Sequence, residues 1–541
     1  MTVTLLHRRS PDLRHHPNKT TAILSTPTVK SSLLSISTSF LLLILLTIWC
    51  FYALLSNSFH LCFSSRKLDV FCISGGTGVV VDNLQLSRSF GLLLPSHADS
   101  SENRTIASSK QRTSSSINSR QKEVADGINS VEEYIHTIRS WATANTTFVA
   151  PSCDGRGVFV YDLPAKFNKD IVAKCGELLP WSDLCEYFSN DGLGVAISGL
   201  GPGWHRTHQY SLEPIFHSRV LRHRCRVSDP AKAALFYVPF YAGLDVLHWH
   251  FINASVSDKD SLSAELVQWL EARPEWALHG GRNHMFVLGK ISWDFRRTGD
   301  GQWGSRFLSL PQMQPPYKFL IERQPWEVNE IGVPHPTHFH PHSDDQIEAW
   351  QARVAGAKRG TMVSFVGAAR PEASESIRSK IIRQCAAAGG TGECRFVDCG
   401  GGGCGEPKEV VETFMRSEFC LQPPGDSPTR KSVFDGLVAG CIPVLFDPFT
   451  AYYQYPWHLP EDRRRYSVFL DQEEVREGRV DVVEKLRAVS VKEKEEMRRY
   501  IIYELLPGLV YGDAGSEFRR FRDAFGIVMD NMIEMVSRNK G

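Results

Sequence analysis

The distribution of apolar and polar positions divides the chain into stretches of different character. From Leu33 to Leu55 the sequence is uncharged and almost wholly apolar, with FLLLILL from Phe40 and IWCFY from Ile48. A helix of about 20 apolar residues crosses the hydrocarbon core of a bilayer, so this run predicts a membrane span. From Ser64 to Ala150 large apolar residues are sparse and Ser, Thr and Asn are abundant. Such a stretch cannot bury enough surface to fold tightly and predicts a flexible stem, with one short helix around Val131 to Trp141. From Cys153 to Phe525 short apolar runs alternate with helical spacing, which predicts the ordered part of the chain.

The second half of that ordered part has the sharper pattern. Met362 to Gly367 (MVSFVG) is an apolar run ended by glycine, as a buried strand is. Ser374 to Ala388 has helical spacing, and Arg395 to Asp398 is extended. Pro407 to Met415 opens with proline in a first turn, as helices do. Phe419 to Gln422 predicts a strand, Arg430 to Ala439 a helix stopped by Gly440, and Ile442 to Phe446 a strand. Alternating strands and helices with short connections make a parallel sheet covered on both faces, here a Rossmann-like unit from Gly360 to Pro507. In the first half, Gly157 to Tyr161, Leu235 to Pro239 and His284 to Gly289 predict strands, and Leu212 to Arg224 and Ser261 to Leu270 predict helices. Two α/β lobes in tandem create a cleft, and open parallel sheets bind ligands beyond the carboxyl ends of their strands. The expected organisation is therefore a tail over 1–32, a span over 33–55, a stem over 56–150, a first lobe over 151–345, and a second lobe with terminal helices over 346–541.

Charge adds orientation. Arg8, Arg9, Arg14, Lys19 and Lys30 precede the apolar run with Asp12 as the one acidic residue among them, which places the N-terminus in the cytoplasm and the rest in a lumen. A cleaved signal peptide fits less well, because the run is long, starts late and lacks a small-x-small site. The net charge of the 541 residues is +1, which excludes an electrostatic grip on nucleic acid. Of 13 cysteines, ten lie from Cys153 onward, on the lumenal side, where disulfides persist. No C-x-x-C pair occurs, against a zinc ribbon or a thioredoxin-like motif. Cys385, Cys394, Cys399 and Cys404 lie in a Gly-rich stretch that reads as a disulfide-stapled excursion. Sequons at Asn103, Asn145 and Asn253 agree with a secretory lumen.

The candidate chemistry centres on FCLQPPGDSPTRKSVFDGLVAGCIPV from Phe419, which reads strand, small-residue loop, helix, glycine stop, strand. A helix N-terminus offers unpaired N–H groups and a positive dipole end to a diphosphate. Gly425, Asp426, Ser427, Thr429 and Ser432 would line that loop. Arg430 and Lys431 would neutralise a leaving diphosphate without a metal, and Asp435 would accept from ribose hydroxyls. The plainer alternative makes Lys431 and Asp435 an i,i+4 surface pair.

With VFVYDLP from Val158, Asp229-Pro230, YVPFYAGLD from Tyr237, GKISWDFRR from Gly289, PTHFHP from Pro336 and YPWHLP from Tyr455, this block resembles the exostosin-like glycosyltransferases of family 47, in the plant xyloglucan galactosyltransferase branch. The motifs run in order from Cys153 to Leu506. The resemblance implies an α/β fold of GT-B type, two Rossmann-like lobes facing a cleft. It further implies inverting transfer of galactose from UDP-galactose to xylosyl side chains of xyloglucan, and residence in the Golgi membrane as a single-pass type II protein. Association with other wall-polysaccharide transferases would follow from that setting. The chain departs from the family at His335-Pro-Thr-His338, where tyrosines are usual, and at His208, where a small residue is usual. Galacturonic acid and arabinose therefore stay open as donors, and a uronic acid would need an added cation in the donor pocket. A non-catalytic scaffold is the alternative of another class, opposed by the intact Arg430, Lys431 and Asp435.

No Asp-x-Asp of the metal-holding kind is expected in the lumenal part, and the prolines among His335, His338, His340 and His342 favour an extended loop over a tetrahedral metal site. Metal-independent chemistry with no cofactor is expected, with His340 toward the donor phosphates or packed in its loop. In-line displacement needs a base near the acceptor hydroxyl. Asp245, at the end of a predicted strand, and Glu213, opening a predicted helix, are the candidates. Each has a structural alternative as a loop cap or a first-turn charge, and Asp162 is a weaker third. Trp181, Trp204, Trp249 and Trp293 are candidates to stack on acceptor sugars, against core packing as the ordinary role of tryptophan.

Overall fold

The computed structural model describes residues 60–65, 69–74, 111–142, 152–299, 301–390 and 392–538. The apolar run from Leu33 to Leu55, its basic flank and the sequons at Asn103 and Asn145 lie outside these residues, whereas Asn253 lies within them and is exposed. Among the described residues no helix is long and apolar enough to cross a membrane. The chain divides into two units, Met1–Val81 and Asp82–Gly541. The described part of the first is an antiparallel pair, β1 (His60–Ser65) and β2 (Asp69–Ser74).

The second unit opens with α1 (Gln111–Trp141), a helix of 31 residues where the sequence predicts a short one from Val131. Its apolar stripe is narrow. Ile128, Val131, Ile135 and Ile138 recur at intervals of three and four residues and are all buried. The last turn docks on the loop after Tyr455: the Trp457 indole donates to the Ile138 carbonyl at 2.7 Å, and Arg139 donates to the carbonyls of Pro456 and Leu459.

The first lobe is a six-stranded parallel sheet of β3 (Gly157–Val160), β4 (Arg226–Val227), β5 (Ala233–Tyr237), β6 (His284–Ile291), β7 (Tyr317–Glu322) and β8 (Glu330–Gly332), in the spatial order β4-β3-β5-β6-β7-β8. Side chains alternate between its faces. Leu235, Met285 and Val287 meet Leu212, Ile215 and Phe216 of α2 (Leu212–Leu221). Phe236, Phe286 and Leu288 meet Val246 of α3 (Ala242–Trp249) and Leu266 and Leu270 of α4 (Val256–Glu271). Covered on both faces, β6 is buried at every position but its last.

The second lobe holds α5 (Asp344–Ala355), β9 (Thr361–Gly367), α6 (Ile377–Gly389), β10 (Cys394–Asp398), α7 (Pro407–Met415), β11 (Ser417–Gln422), α8 (Lys431–Val438), β12 (Ile442–Leu445) and β13 (Val468–Phe469). Its five strands are parallel, in the order β10-β9-β11-β12-β13. In both lobes the first major strand, β3 or β9, has its successors on opposite sides. Helices leaving on either side of such a switch point open a crevice at the carboxyl edge of the sheet.

The last helix, α9 (Ala524–Arg538), falls by sequence within the 346–541 segment assigned to the second lobe. It packs on β5 of the first, with Val528, Met529 and Met532 in the same core as Leu235 and Phe216. A buried ion pair fixes this return: Arg219 of α2 reaches Asp523 at 2.6 Å, and Asp523 also accepts from the Gly512 amide at 2.8 Å. The sequence pattern ends the ordered part at Phe525, so α9 lies almost wholly beyond it, and its partner surface is formed about three hundred residues earlier in the chain. Disulfides join Cys153 to Cys225, Cys175 to Cys185, Cys385 to Cys394 and Cys399 to Cys404, the last two stapling the Gly-rich excursion. Cys420 and Cys441 are free and buried.

Candidate active site

At the switch point of the second lobe, the ends of β9 and β11 part and three arginines occupy the opening. Arg430, just before α8, donates to the carbonyls of Pro423 at 2.8 Å and Val366 at 3.3 Å, and through Nε to the Ser432 hydroxyl. Arg378, on α6, donates to the carbonyls of Pro424 and Ala368. Arg370, in the loop after β9, pairs with Asp426. Glycines make room for these heads. A Cβ at Gly367 would lie 3.0 Å from the Arg430 guanidinium, and one at Gly425 would lie 2.8 Å from that of Arg378. Among the described residues Asp426 is the one carboxylate hydrogen-bonded to any of the three, and it is almost fully exposed. Burial, with Arg378 and Arg370 nearby, brings Arg430 down to about 9. Carbonyl partners hold guanidiniums without cancelling their charge, so the crevice carries excess positive charge in partly desolvated surroundings, where an anion is most favoured.

The residues picked from the 425–435 block have several duties. Gly425 closes a tight turn, its amide donating to the Ser427 carbonyl at 2.9 Å. Thr429 donates through its amide (3.0 Å) and hydroxyl (2.5 Å) to Glu322, at the carboxyl end of β7. The Ser427 hydroxyl also bonds Glu322. Glu322 thus ties the loop to the first lobe, and its carboxyl is raised by complete burial. The Ser432 hydroxyl donates to Gln422 at 2.6 Å. Lys431 and Asp435 form a buried pair, with Nζ 2.8 Å from both carboxylate oxygens. The i,i+4 pairing is present but lies below the surface rather than on it, and each Asp435 oxygen accepts one hydrogen bond from Lys431.

The base candidates lie close together in the first lobe. Glu213 is fully buried and accepts from three amides: Gly243 at 2.6 Å, Leu244 at 3.2 Å and Gly289 at 3.1 Å. It caps the start of α3 rather than facing the cleft. Burial pushes it up to about 8 against the pull of those three N–H groups. Asp245, on α3, accepts from the Trp249 indole at 3.2 Å and is raised to about 7 by burial. Asp162, after β3, is exposed.

The Exostosin GT47 domain matches residues 152–486, more than half of the chain. The chain belongs to this family. A xyloglucan-specific galacturonosyltransferase of Arabidopsis thaliana is 55% identical over 76% of the GT47 chain and 62% of its own length. A probable xyloglucan galactosyltransferase of the same plant is 46% identical over 89% of this chain and 90% of its own. A xyloglucan galactosyltransferase, also from Arabidopsis, is 39% identical over 71% of this chain and 63% of its own. The match therefore spans less than two thirds of the first and third of these relatives. A pneumococcal O-GlcNAc transferase solved with UDP and GlcNAc overlaps 46% of this chain and 57% of its own, at 11% identity and a TM-score of 0.23, too little to align a site.

In the GT47 chain the histidine segment does not converge on one point. His340 is buried, with one ring nitrogen 2.8 Å from the Thr207 hydroxyl and the other 2.8 Å from the Tyr511 carbonyl. Both nitrogens are engaged, which corrects the placement of His340 toward the donor phosphates. Burial lowers it to about 3. His342 pairs with Asp513 at 2.8 Å. His335 is buried, 5.8 Å from the Phe434 ring of α8, and neither of its nitrogens has a hydrogen-bond partner among the described residues. Among the described residues no group of three or more His, Cys, Asp or Glu side chains is placed to hold a metal ion. Asp258-Lys259-Asp260 corrects the expectation that the lumenal part has no Asp-x-Asp: it opens α4, where Asp258 closes a capping box with Ser255 and Asp260 pairs with Arg297.

Residues that the sequence did not single out complete the site. Lys290 and Asp294, at the end of β6, pair at 3.1 Å, and the Lys290 ammonium lies 4.1 Å from the centre of the Tyr210 ring. Both stand in the GKISWDFRR segment, where their i,i+4 spacing was the available signal. Of the tryptophans, Trp204 is buried, stacked on Phe339 at 5.1 Å, and belongs to the core, while Trp181 and Trp293 are exposed.

Proposed function

We propose that this GT47 enzyme transfers a sugar from a uridine diphosphate donor to the side chains of xyloglucan. The observation that carries the reading is the arginine crevice at the β9–β11 switch point. Arg430, Arg378 and Arg370 are arranged to hold a diphosphate and to stabilise the charge that develops on it as the glycosidic bond breaks. Cations already in place make a metal unnecessary for that task, so transfer proceeds without one. Glu322 is a positioning residue that holds the donor loop against the first lobe.

Galactose is the donor sugar supported by the galactosyltransferase relatives. Galacturonic acid is the second reading, favoured by the relative at 55% identity. The two sugars differ at C6, so the same ring-binding groups serve both. Inversion requires a base on the acceptor side. Asp245 is the better placed of the two candidates, because both Glu213 oxygens already accept amide hydrogen bonds. Its raised value suits a group that takes a proton near neutrality. The basic tail and apolar run support a type II anchor, and four disulfides support an oxidising lumen, together the setting of a Golgi enzyme.

Titration of UDP into the full-length protein tests the donor site. Arg430→Ala and Arg370→Ala should each weaken binding by about tenfold or more, as expected for loss of a charge-assisted contact. Arg370 is half-exposed, so its removal leaves the core intact. UDP affinity unchanged in both variants would remove the crevice as the donor site.

A further inference from the structure

A row of exposed aromatic rings runs along the first lobe beside the cleft. Trp181 is 66% exposed, Phe251 46%, Trp303 40% and Trp293 56%. Their ring centres follow one another at 4.5 Å (Trp181 to Phe251), 6.2 Å (Phe251 to Trp303) and 6.3 Å (Trp303 to Trp293). Exposed rings joined in a continuous row mark a binding surface more often than isolated ones do.

The row is also held in shape. Trp303 stacks on His250 at 4.2 Å, and its indole N–H donates to Asp294 at 2.7 Å. The loop carrying it is pinned to the Asp294 backbone: the Ser305 amide donates to the Asp294 carbonyl, and Gly304 (φ +68°) approaches so closely that a Cβ there would lie 2.1 Å from that oxygen. Trp181 sits on a loop closed by the Cys175–Cys185 disulfide. Rings fixed in this way lose little freedom when a ligand lies across them.

The row is continuous with the candidate active site. His250, on which Trp303 stacks, directly follows Trp249, whose indole donates to Asp245, and Asp294, which orients Trp303, pairs with Lys290 at the end of β6. The Lys290–Asp294 pair neutralises itself, so the surface favours an uncharged ligand with flat apolar faces. Pyranose rings in an extended β-linked chain have such faces and stack on aromatic side chains.

We propose that these four rings form a platform for the glucan backbone of the polysaccharide acceptor and set the enzyme's preference for polymer over short acceptors. The proposal rests on the acceptor reading above. One xylosylated glucose is too short to reach from Trp181 to Trp293, whereas a longer glucan backbone spans the row.

The test compares full-length wild type with Trp181→Ala, Trp293→Ala and the double variant. Acceptors are polymeric xyloglucan and the smallest fragment, one xylosylated glucose, and each protein is also run in native gels containing the polymer and no donor. Each substitution should raise the polymer KM by about tenfold, the loss expected for one stacked ring, with kcat, kinetics on the small fragment and melting temperature unchanged. Retardation by the polymer should be lost in the double variant. An unchanged polymer KM, an equal fall with both acceptors, or retained retardation in the double variant would overturn the platform. Retardation needs no transfer. Wild type that is retarded through these rings but transfers nothing contradicts the proposed reaction and leaves the platform standing.

Discussion

Replacing Glu322 with glutamine tests whether the first lobe holds the donor loop in place. The Glu322 carboxylate accepts two hydrogen bonds from Thr429, at 3.0 and 2.5 Å, at a fully buried position. Hydrogen bonds to a charged acceptor contribute roughly 1.5–3 kcal/mol net, against roughly 0.5–1.5 kcal/mol for neutral partners. Glutamine keeps the shape and one acceptor oxygen, so it forfeits about 1 kcal/mol per bond, or about 2 kcal/mol in all. Burial has raised the Glu322 carboxyl, which weakens its hold as an anion and favours the lower part of that range. About 2 kcal/mol corresponds to roughly a 30-fold rise in KM for the nucleotide sugar. Initial rates at varied donor and saturating acceptor measure it, with acceptor KM and melting temperature as controls. Thr429→Val removes one partner from the other side, so the double variant should cost less than the sum of the singles. An unchanged donor KM in Glu322→Gln, or strictly additive effects in the cycle, would refute the reasoning.

Three further outcomes follow from the fold. Asp523→Ala should destabilise the protein by about 3–5 kcal/mol in denaturant titrations, because it strands Arg219 as a buried unpaired charge and detaches the start of α9. The folded value of Glu213, about 8, lies above its ordinary 4.5. Its contribution is therefore complete below about pH 4.5 and is lost as pH rises through about 8. Glu213→Gln should flatten that fall when denaturation midpoints are compared between about pH 5 and pH 9. Loop-closure entropy makes Cys153–Cys225, with a separation of 72, worth about 4 kcal/mol, and Cys399–Cys404, with a separation of 5, worth about 2 kcal/mol. Serine pairs at the two sites should lower stability in about that ratio.

The second lobe was legible because its strands are short apolar runs ended by glycine or proline. Thr361–Gly367 and Ser417–Gln422 lie within a residue or two of where the pattern places them. In the first lobe β7 and β8 escaped notice, since each carries a buried charge that breaks the apolar run. Lys318 is tied to the Met313 carbonyl, and Glu330 is paired with Arg296. The Gly425–Thr429 loop was singled out from its small residues and following helix, but spacing along one segment could not show that Arg370 and Arg378 arrive beside Arg430 from the loop and helix after β9. Nor could it show that both Asp435 oxygens accept from Lys431. His340 looked available in a His-Pro run, and the groups that engage it, Thr207 and Tyr511, come from opposite ends of the ordered chain.

The central claim is that the Arg430 crevice binds a uridine diphosphate sugar whose sugar is then passed to xyloglucan. Full-length wild type and Arg430→Ala, incubated with xyloglucan and either UDP-galactose or UDP-galacturonic acid, with and without EDTA, test it most directly. The account predicts sugar incorporated into xyloglucan by the wild type, undiminished by EDTA and lost in the variant. Absence of transfer from both donors, or full activity in Arg430→Ala, would contradict it.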